Sequence, residues 1–506
     1  MKPTTPPLKI RWAIFGFIAL LALAVRLPQL GMRPMHTDES INAYITGELL
    51  AGDAFHYDPK DRHGPGLFVF AEPLVRLAGA RNFSELTETR LRITPVIVGT
   101  FTVLLFGAGV ETFGFVTCLV AALLFAFAPL PVYYDRYFIH ESLFLLSTFG
   151  LLLSGGRLLK THSISSAAVA GFCAAFMLAC KETSIIHFFA IGFALLVCRF
   201  RFGAPASGTA RTGERMQPAV PEAGAPMGKA VLVMACVFIF TTILLFTWFF
   251  RNWSVFSDLI RAIPNFTARA GGEGHAKPFW YYAWLITGGW SGPMLVVIAG
   301  IGVLRAFRKP SAGPGLALAV YCLAIMIIYS AIPYKTPWLA LNFYLPLTIL
   351  AGMAVEWIWF SAPKLCARSG LSFALGILGI LLAHDIYQRV FQHPADEKNP
   401  YAYAHTGEDL PRLPGRLQQL AKQHEISNPR IAVVAADAWP LPWYLRKFSQ
   451  VGFWQPGQKT GPADFFLTST DVSGPLAEQL KDYRPEFFGW RPNVLLILWV
   501  PERQPM

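Results

Sequence analysis

Charge is scarce in this chain. Only 15% of its 506 residues are charged, against 54% hydrophobic, and its apolar runs are longer than the helices or strands of a water-soluble core. A net charge of +12 is present, but the basic residues lie in short groups between apolar runs and form no patch or stripe, so nucleic acid is not the partner. The seven cysteines lack metal-type spacing. Six of them (Cys118, Cys173, Cys180, Cys198, Cys236, Cys322) fall in or at the ends of apolar runs and Cys366 in a basic loop, which suits small apolar residues. No small-residue cleavage site follows the first run, which continues through Arg26 to Pro28. It reads as a retained signal anchor. No internal repeat of the kind built around a transport path occurs.

What remains is a polytopic membrane protein. Apolar runs at about 12–30, 92–110, 113–131, 140–156, 164–180, 185–198, 229–250, 282–304, 314–333, 338–360 and 370–388 are each near the ~20 residues a spanning helix needs. Lys2, Lys9, Arg11, Arg157, Lys160, Arg199, Arg201, Arg211, Arg215, Lys229, Arg305, Arg308, Lys309, Lys364 and Arg368 all fall in alternate loops. The positive-inside rule puts those loops and the N-terminus in the cytoplasm of a multi-pass inner-membrane protein, and everything after residue 388 outside it.

Between the first two runs lies a long outer loop with two surface helices, at about 38–50 and 66–78, the second too short and too charged to span. Residues 199–228, rich in Gly, Pro, Ala and Arg, read as a connection without a site. A second outer loop, 251–281, carries Trp253, Phe256, Ile260 and Ile263 in a membrane-surface pattern. Past residue 390 the composition turns soluble. Strands are expected at Ile431–Ala436, Phe465–Leu467 and Val494–Trp499, with helices at about 410–425 and 474–482. The expected fold is therefore an all-α transmembrane domain over 1–390 and a small α/β extracytoplasmic domain over 391–506.

The topology gathers charged and polar residues at the outer helix ends. His36-Thr37-Asp38-Glu39-Ser40 follows the first run, and Arg62-His63-Gly64-Pro65 leads into the second surface helix. Asp135, Arg136, His140 and Glu141 join runs three and four, Lys181 and Glu182 join five and six, and Tyr334, Lys335 and Trp338 join nine and ten. Each has a plain structural explanation. Thr37 can cap a helix whose first turn favours acids, Arg136 and Lys181 can snorkel to lipid phosphates, Asp135 and Glu141 can pair with Arg136, and Tyr133, Tyr134, Tyr137 and Trp338 suit an aromatic belt. Together they suit a substrate bearing both phosphate and hydroxyls, since carboxylates act as bases or cation ligands while Arg and Lys hold phosphate.

In this order the motifs resemble the GT-C membrane glycosyltransferases, which include protein O-mannosyltransferases and lipid A aminoarabinose transferases. The shared features are the acid pair Asp38-Glu39, a His/Pro motif at His63-Gly64-Pro65, and Arg90-Leu91-Arg92-Ile93-Thr94-Pro95 opening the second span. With Tyr334-Lys335-Thr336-Pro337-Trp338 and Asp437-Ala438-Trp439-Pro440-Leu441-Pro442-Trp443-Tyr444, nearly the whole chain resembles the prokaryotic branch known as flippase activity-associated protein.

The resemblance implies transfer of a sugar from a polyprenyl-phosphate donor to a glycan, lipid or protein acceptor outside the membrane. Asp38 and Glu39 would be the catalytic acids, and His63, Arg136, Lys181 and Lys335 would bind the donor phosphate or lipid. Asp135, Glu141, Glu182, Tyr334 and Trp338 would support them. The alternative is a non-catalytic glycolipid-binding protein that assists a flippase. His63 is followed by Gly-Pro where the mannosyltransferases show Pro-Pro, and no Asp-x-Asp occurs in the second outer loop. A metal like that of the oligosaccharyltransferases is thus not implied. A divalent metal on Asp135, His140 and Glu141 stays open, with no other cofactor called for. The Asp437–Tyr444 segment reads as a packed corner in preference to a sugar-stacking surface.

Overall fold

The structure, a computed structural model, describes residues 5–58, 63–202, 226–255, 257–259, 261, 275–308, 313–361, 365–470, 476 and 478–502. Arg62, Arg211, Arg215, Phe256, Ile260, Ile263, Lys309, Lys364 and most of the 199–228 loop lie outside the described residues.

Each of the eleven apolar runs carries helix. Among the described residues, eight helices are long and apolar enough to cross a membrane. They include α1 (Leu8–Arg26), α4 (Glu88–Phe113), α7 (Glu141–Thr161), α9 (Ser184–Phe202), α10 (Met227–Phe246), α13 (Gly313–Ala331), α14 (Leu341–Ser361) and α15 (Leu365–Ile386). Two shorter apolar helices, α5 (Phe115–Phe127) and α8 (Ile164–Cys180), fill runs three and five, and a six-residue helix, α6 (Pro129–Tyr134), follows α5. The remaining run is broken into α11 (Tyr281–Thr287) and α12 (Gly292–Arg308), bent by 109°.

That bend has a chemical cause. A sharp break leaves backbone N–H groups unpaired in an apolar setting, and Asp385 on α15 takes them up. Its carboxylate accepts from Trp290 N at 3.2 Å, Ser291 N at 2.9 Å and Ser291 Oγ at 2.6 Å, and so caps α12 from another helix. Gly289, at φ +84°, supplies the left-handed turn there.

The chain divides into two compact units. The first comprises Met1–Pro28, Ala54–Phe70 and Ile93–Gln392; the second comprises Gln29–Asp53, Ala71–Arg92 and His393–Met506. The two surface helices are α2 (Thr37–Ala51) and α3 (Gly66–Leu77). The Gln29–Asp53 segment that carries Asp38 thus groups with the C-terminal residues and not with the spans.

In the second unit, five strands form one sheet in the order β2-β1-β3-β5-β4: β1 Ile431–Val434, β2 Val451–Trp454, β3 Phe465–Ser469, β4 Tyr483–Arg491 and β5 Val494–Pro501. β1 pairs parallel with β2 and β3, while β5 runs antiparallel to β3 and β4. The expected helix at 410–425 is a 3-10 turn followed by α16 (Leu413–Gln423). The one expected at 474–482 is not helical over 478–482, where the chain turns into β4.

The cap of α2 is also not as the sequence suggests. His36, not Thr37, is the N-cap. An imidazole reaches the Asp38 N–H, and Glu39 closes the box from the other side by accepting from the His36 N–H at 3.2 Å.

Candidate active site

In the second unit the adjacent acids have opposite surroundings. Glu39 is fully buried and held by Arg92 through two bonds of 2.7 Å, Nε to Oε1 and Nη2 to Oε2, with Arg33 Nη2 3.5 Å from Oε1. Arg92 spends its other N–H groups on the carbonyls of Leu30 (2.7 Å), Arg33 (2.9 Å) and Pro34 (3.1 Å), so the loop before α2 is wound around one guanidinium. Asp38, one residue earlier, keeps 44% of its side chain exposed, with Oδ2 4.0 Å from His36 Nδ1.

His36 itself is held in one tautomer. Its Nδ1 accepts from Asp38 N at 3.1 Å while Nε2 donates to the Tyr403 carbonyl at 3.0 Å. Burial holds its imidazole below the ordinary histidine range, against the pull of Asp38 and Glu39.

The Asp437–Tyr444 segment is a packed corner, and it clamps this loop. Tyr444 Oη accepts from Met35 N at 2.9 Å, and Thr406 Oγ1 donates to the Met35 carbonyl at 2.5 Å. Trp443, fully buried, donates Nε1 to Glu88 at 2.9 Å and lies 3.6 Å beneath Arg446.

In the first unit, the turn between α8 and α9 gathers a second cluster. Lys181 Nζ lies 2.5 Å from Glu141 Oε1, so its charge is already matched. Glu182 accepts from Tyr57 Oη at 3.1 Å and faces His63 Nδ1 at 3.1 Å. His140 directs Nε2 to the Gly64 carbonyl at 3.1 Å, its ring edge-on to that of His63 at 5.4 Å.

The Gly-Pro that departs from Pro-Pro has a steric reason here. A Cβ on Gly64 would collide with the Ala179 carbonyl oxygen, and one on Gly66 would lie 2.7 Å from Cys180 Sγ. Glycine at these positions lets the motif lie directly on the end of α8.

Asp135 and Arg136 do not pair with each other. Asp135 binds Arg26 (Nε to Oδ2, 2.9 Å) and Ser142 (2.7 Å), deep in the bundle where Gly99 leaves room for the carboxylate. Arg136 donates to the carbonyls of Pro28 (2.6 Å) and Arg26 (3.2 Å) and stacks on Phe391 at 4.8 Å. Phe391 also lines an apolar groove of about 680 Å³ with Val25, Leu124, Phe127, Leu378 and Leu382.

Tyr133, Tyr134 and Tyr137 are buried, not a lipid-facing belt; Tyr134 and Tyr137 pack on Trp338 at 6.4 and 6.3 Å. Tyr334 pairs with Ala276, and its ring packs at a 60° tilt against His275, centroids 4.8 Å apart. Lys335, almost fully buried, donates to the carbonyls of Ile332 (2.5 Å) and Lys277 (3.0 Å) and has no carboxylate partner among the described residues.

The three residues considered for a metal are each committed elsewhere, Asp135 to Arg26, Glu141 to Lys181 and His140 to Gly64. Among the described residues no group of three His, Cys, Asp or Glu side chains is placed to hold an ion. Arg26, Tyr57 and Asp385 were not singled out from the sequence as site residues, and Arg92 was named only within the motif that opens the second span. Their partners lie 109, 125, 94 and 53 residues away, and only an arginine at the edge of an apolar run hinted at two of them.

Comparison with known proteins agrees with this architecture. Residues 69–205 match the family model described as dolichyl-phosphate-mannose-protein mannosyltransferase. No curated protein matches the sequence. Among solved structures, ArnT from Cupriavidus metallidurans bound to undecaprenyl phosphate superposes with a TM-score of 0.65 at 15% identity, covering 96% of this chain and 97% of that one. The archaeal oligosaccharyltransferase AglB from Archaeoglobus fulgidus, in complex with an inhibitory peptide and a dolichol-phosphate, gives 0.54 at 12% identity over 98% and 76%. The fold is the one seen in these two solved structures. The chain is a multi-pass membrane protein of that fold with a small sheet-containing C-terminal part.

Proposed function

We propose that this protein transfers a sugar from a polyprenyl-phosphate carrier to an acceptor hydroxyl on the outer side of the cytoplasmic membrane. The observation that carries the reading is the division of labour in the acid pair. Glu39 is buried and neutralised by Arg92, whereas Asp38 stands half-exposed on the rigid first turn of α2. A carboxylate presented in this way suits a base that takes the proton from an acceptor.

Lys335 supports the donor half of the reading. Among the described residues its ammonium meets only carbonyl oxygens, so an anionic group is what would complete its charge balance. The apolar groove beside Phe391 and Arg136 has the chemistry of a prenyl-chain site, and the ArnT structure of the same fold holds undecaprenyl phosphate. Arg136, whose partners are carbonyl oxygens and a ring, adds positive field, while Lys181, matched by Glu141, acts by placing its loop. The step is then an inverting displacement. Asp38 deprotonates the acceptor, the acceptor oxygen attacks the sugar C1, and the phosphate departs toward positive charge.

Incubation of purified protein in lipid nanodiscs with a panel of radiolabelled polyprenyl-phosphate sugars tests this. Label should move from one donor to a membrane or protein acceptor. Retention of all label on every donor that binds would move the assignment to a glycolipid-binding partner of a flippase.

A further inference from the structure

The setting of His63 exceeds what phosphate binding requires. Its Nδ1 faces Glu182 at 3.1 Å, and Tyr57 holds the other oxygen of the same carboxylate at 3.1 Å. Burial alone would push that carboxyl up, but the charge and hydrogen bond of His63, together with Lys181, outweigh it and hold Glu182 at about 2. An ionised carboxylate at this distance keeps a proton on Nδ1, the way a third group orients the imidazole of an acid–base site.

Nε2 is thereby directed away from Glu182. Among the described residues it makes no hydrogen bond, and the side chain keeps 38% exposure. The ring is also well backed, by the close seat of Gly64 on Ala179, by His140 bonded to the Gly64 carbonyl, and by the edge-on His140 ring. The titratable groups facing His63 are thus Glu182 and Lys181 from the α8–α9 turn, Tyr57, and His140 ahead of α7, with Glu141 neutralising Lys181.

We propose that His63 is the general acid of the transfer, giving its Nε2 proton to the phosphate oxygen that leaves the sugar. Glu182 and Tyr57 position it. This rests on the reading of the chain as a polyprenyl-phosphate-sugar transferase. The bond between the sugar C1 and the phosphate oxygen breaks with its electron pair on oxygen, and that oxygen takes the proton from Nε2. The acceptor oxygen bonds to C1 and loses its own proton to the base of the transfer, and water reprotonates His63. Nothing is oxidised or reduced. A lysine or arginine could neutralise the leaving charge but would not surrender a proton near neutral pH, whereas imidazolium does both.

The test compares the full-length protein with His63→Gln, Glu182→Gln and Tyr57→Phe in nanodiscs. In binding of a short-chain polyprenyl phosphate at pH 6, the unchanged protein should bind about tenfold more tightly than His63→Gln. Titration of the ligand affects both proteins alike. In sugar transfer, His63→Gln should lower kcat on the order of a hundredfold with little change in the donor KM.

Glu182→Gln should lower kcat by a smaller factor than His63→Gln, and Tyr57→Phe by less again with the fold intact, each with little change in the donor KM. Transfer that survives His63→Gln at full kcat, or binding with no His63-dependent difference at pH 6, overturns the acid role alone. His63-dependent binding with no transfer from any donor by the unchanged protein overturns the transferase reading and the acid role together.

Discussion

Glu39 and Arg92 form a two-pronged ion pair, both bonds 2.7 Å long and both side chains out of reach of solvent. Breaking such a pair from one side leaves a charge buried alone, which costs about 3–5 kcal/mol. Glu39→Gln and Arg92→Met are therefore expected to lower thermal stability in detergent sharply. Asp38→Asn, one residue away on an exposed side chain, is expected to change it by less than about 0.5 kcal/mol. Equal losses of stability in the two acid variants would contradict the division of roles.

Acidification should loosen the loop that carries Asp38. Burial holds the imidazoles of His36 and His405 below their ordinary range, and their rings meet at 5.7 Å. In the unfolded chain both titrate near about 6.5, so the unfolded state binds the extra protons first. Their contribution is complete above that pH and is lost as the pH falls below it. Melting followed at pH 7.5 and pH 5.5 should show a drop that His405→Phe reduces; a flat profile would count against it.

Gly64→Ala is expected to act at a distance from any substrate. Its methyl group would meet the Ala179 carbonyl, forcing the His63 loop off α8 at a cost of about 1–3 kcal/mol. Transfer activity should fall well below what this loss of stability explains, because His63 and Glu182 no longer face each other. Activity unchanged in folded Gly64→Ala protein would show that their alignment does not matter.

Asp135→Asn should behave as a folding variant. Asp135 neutralises Arg26 inside the bundle and accepts from Ser142, so its loss is expected to cost about 3–5 kcal/mol. Arg26→Met combined with Asp135→Leu should recover most of the folded yield, measured by size-exclusion profile. Failure of the double variant to recover any would argue for a role beyond the ion pair.

The parts of this molecule written in local pattern were legible. Apolar runs mark every helix of the bundle, and the strands at Ile431, Phe465 and Val494 were evident as short apolar stretches between turns. The parts decided by distant partners were not. Nothing near Asp135 in the chain indicates Arg26, and nothing near Glu39 singles out Arg92, since an ion pair in an apolar interior depends on which helix ends meet. β4 escaped notice because its half-exposed alternation, with Pro485 and Gly489 inside it, lacks a continuous apolar run. The cap of α2 shows how close the competition can be. Thr37 has the usual capping side chain, but the His36 ring reaches the Asp38 N–H and is also tied to Tyr403, so it takes the position.

The most direct test is transfer of radiolabelled sugar by Asp38→Asn, assayed beside unchanged protein with a purified polyprenyl-phosphate donor and equal folded protein. If Asp38 is the base, the variant should bind donor normally and transfer sugar at a rate lower by at least about a hundredfold. Transfer at the unchanged rate would contradict the central claim.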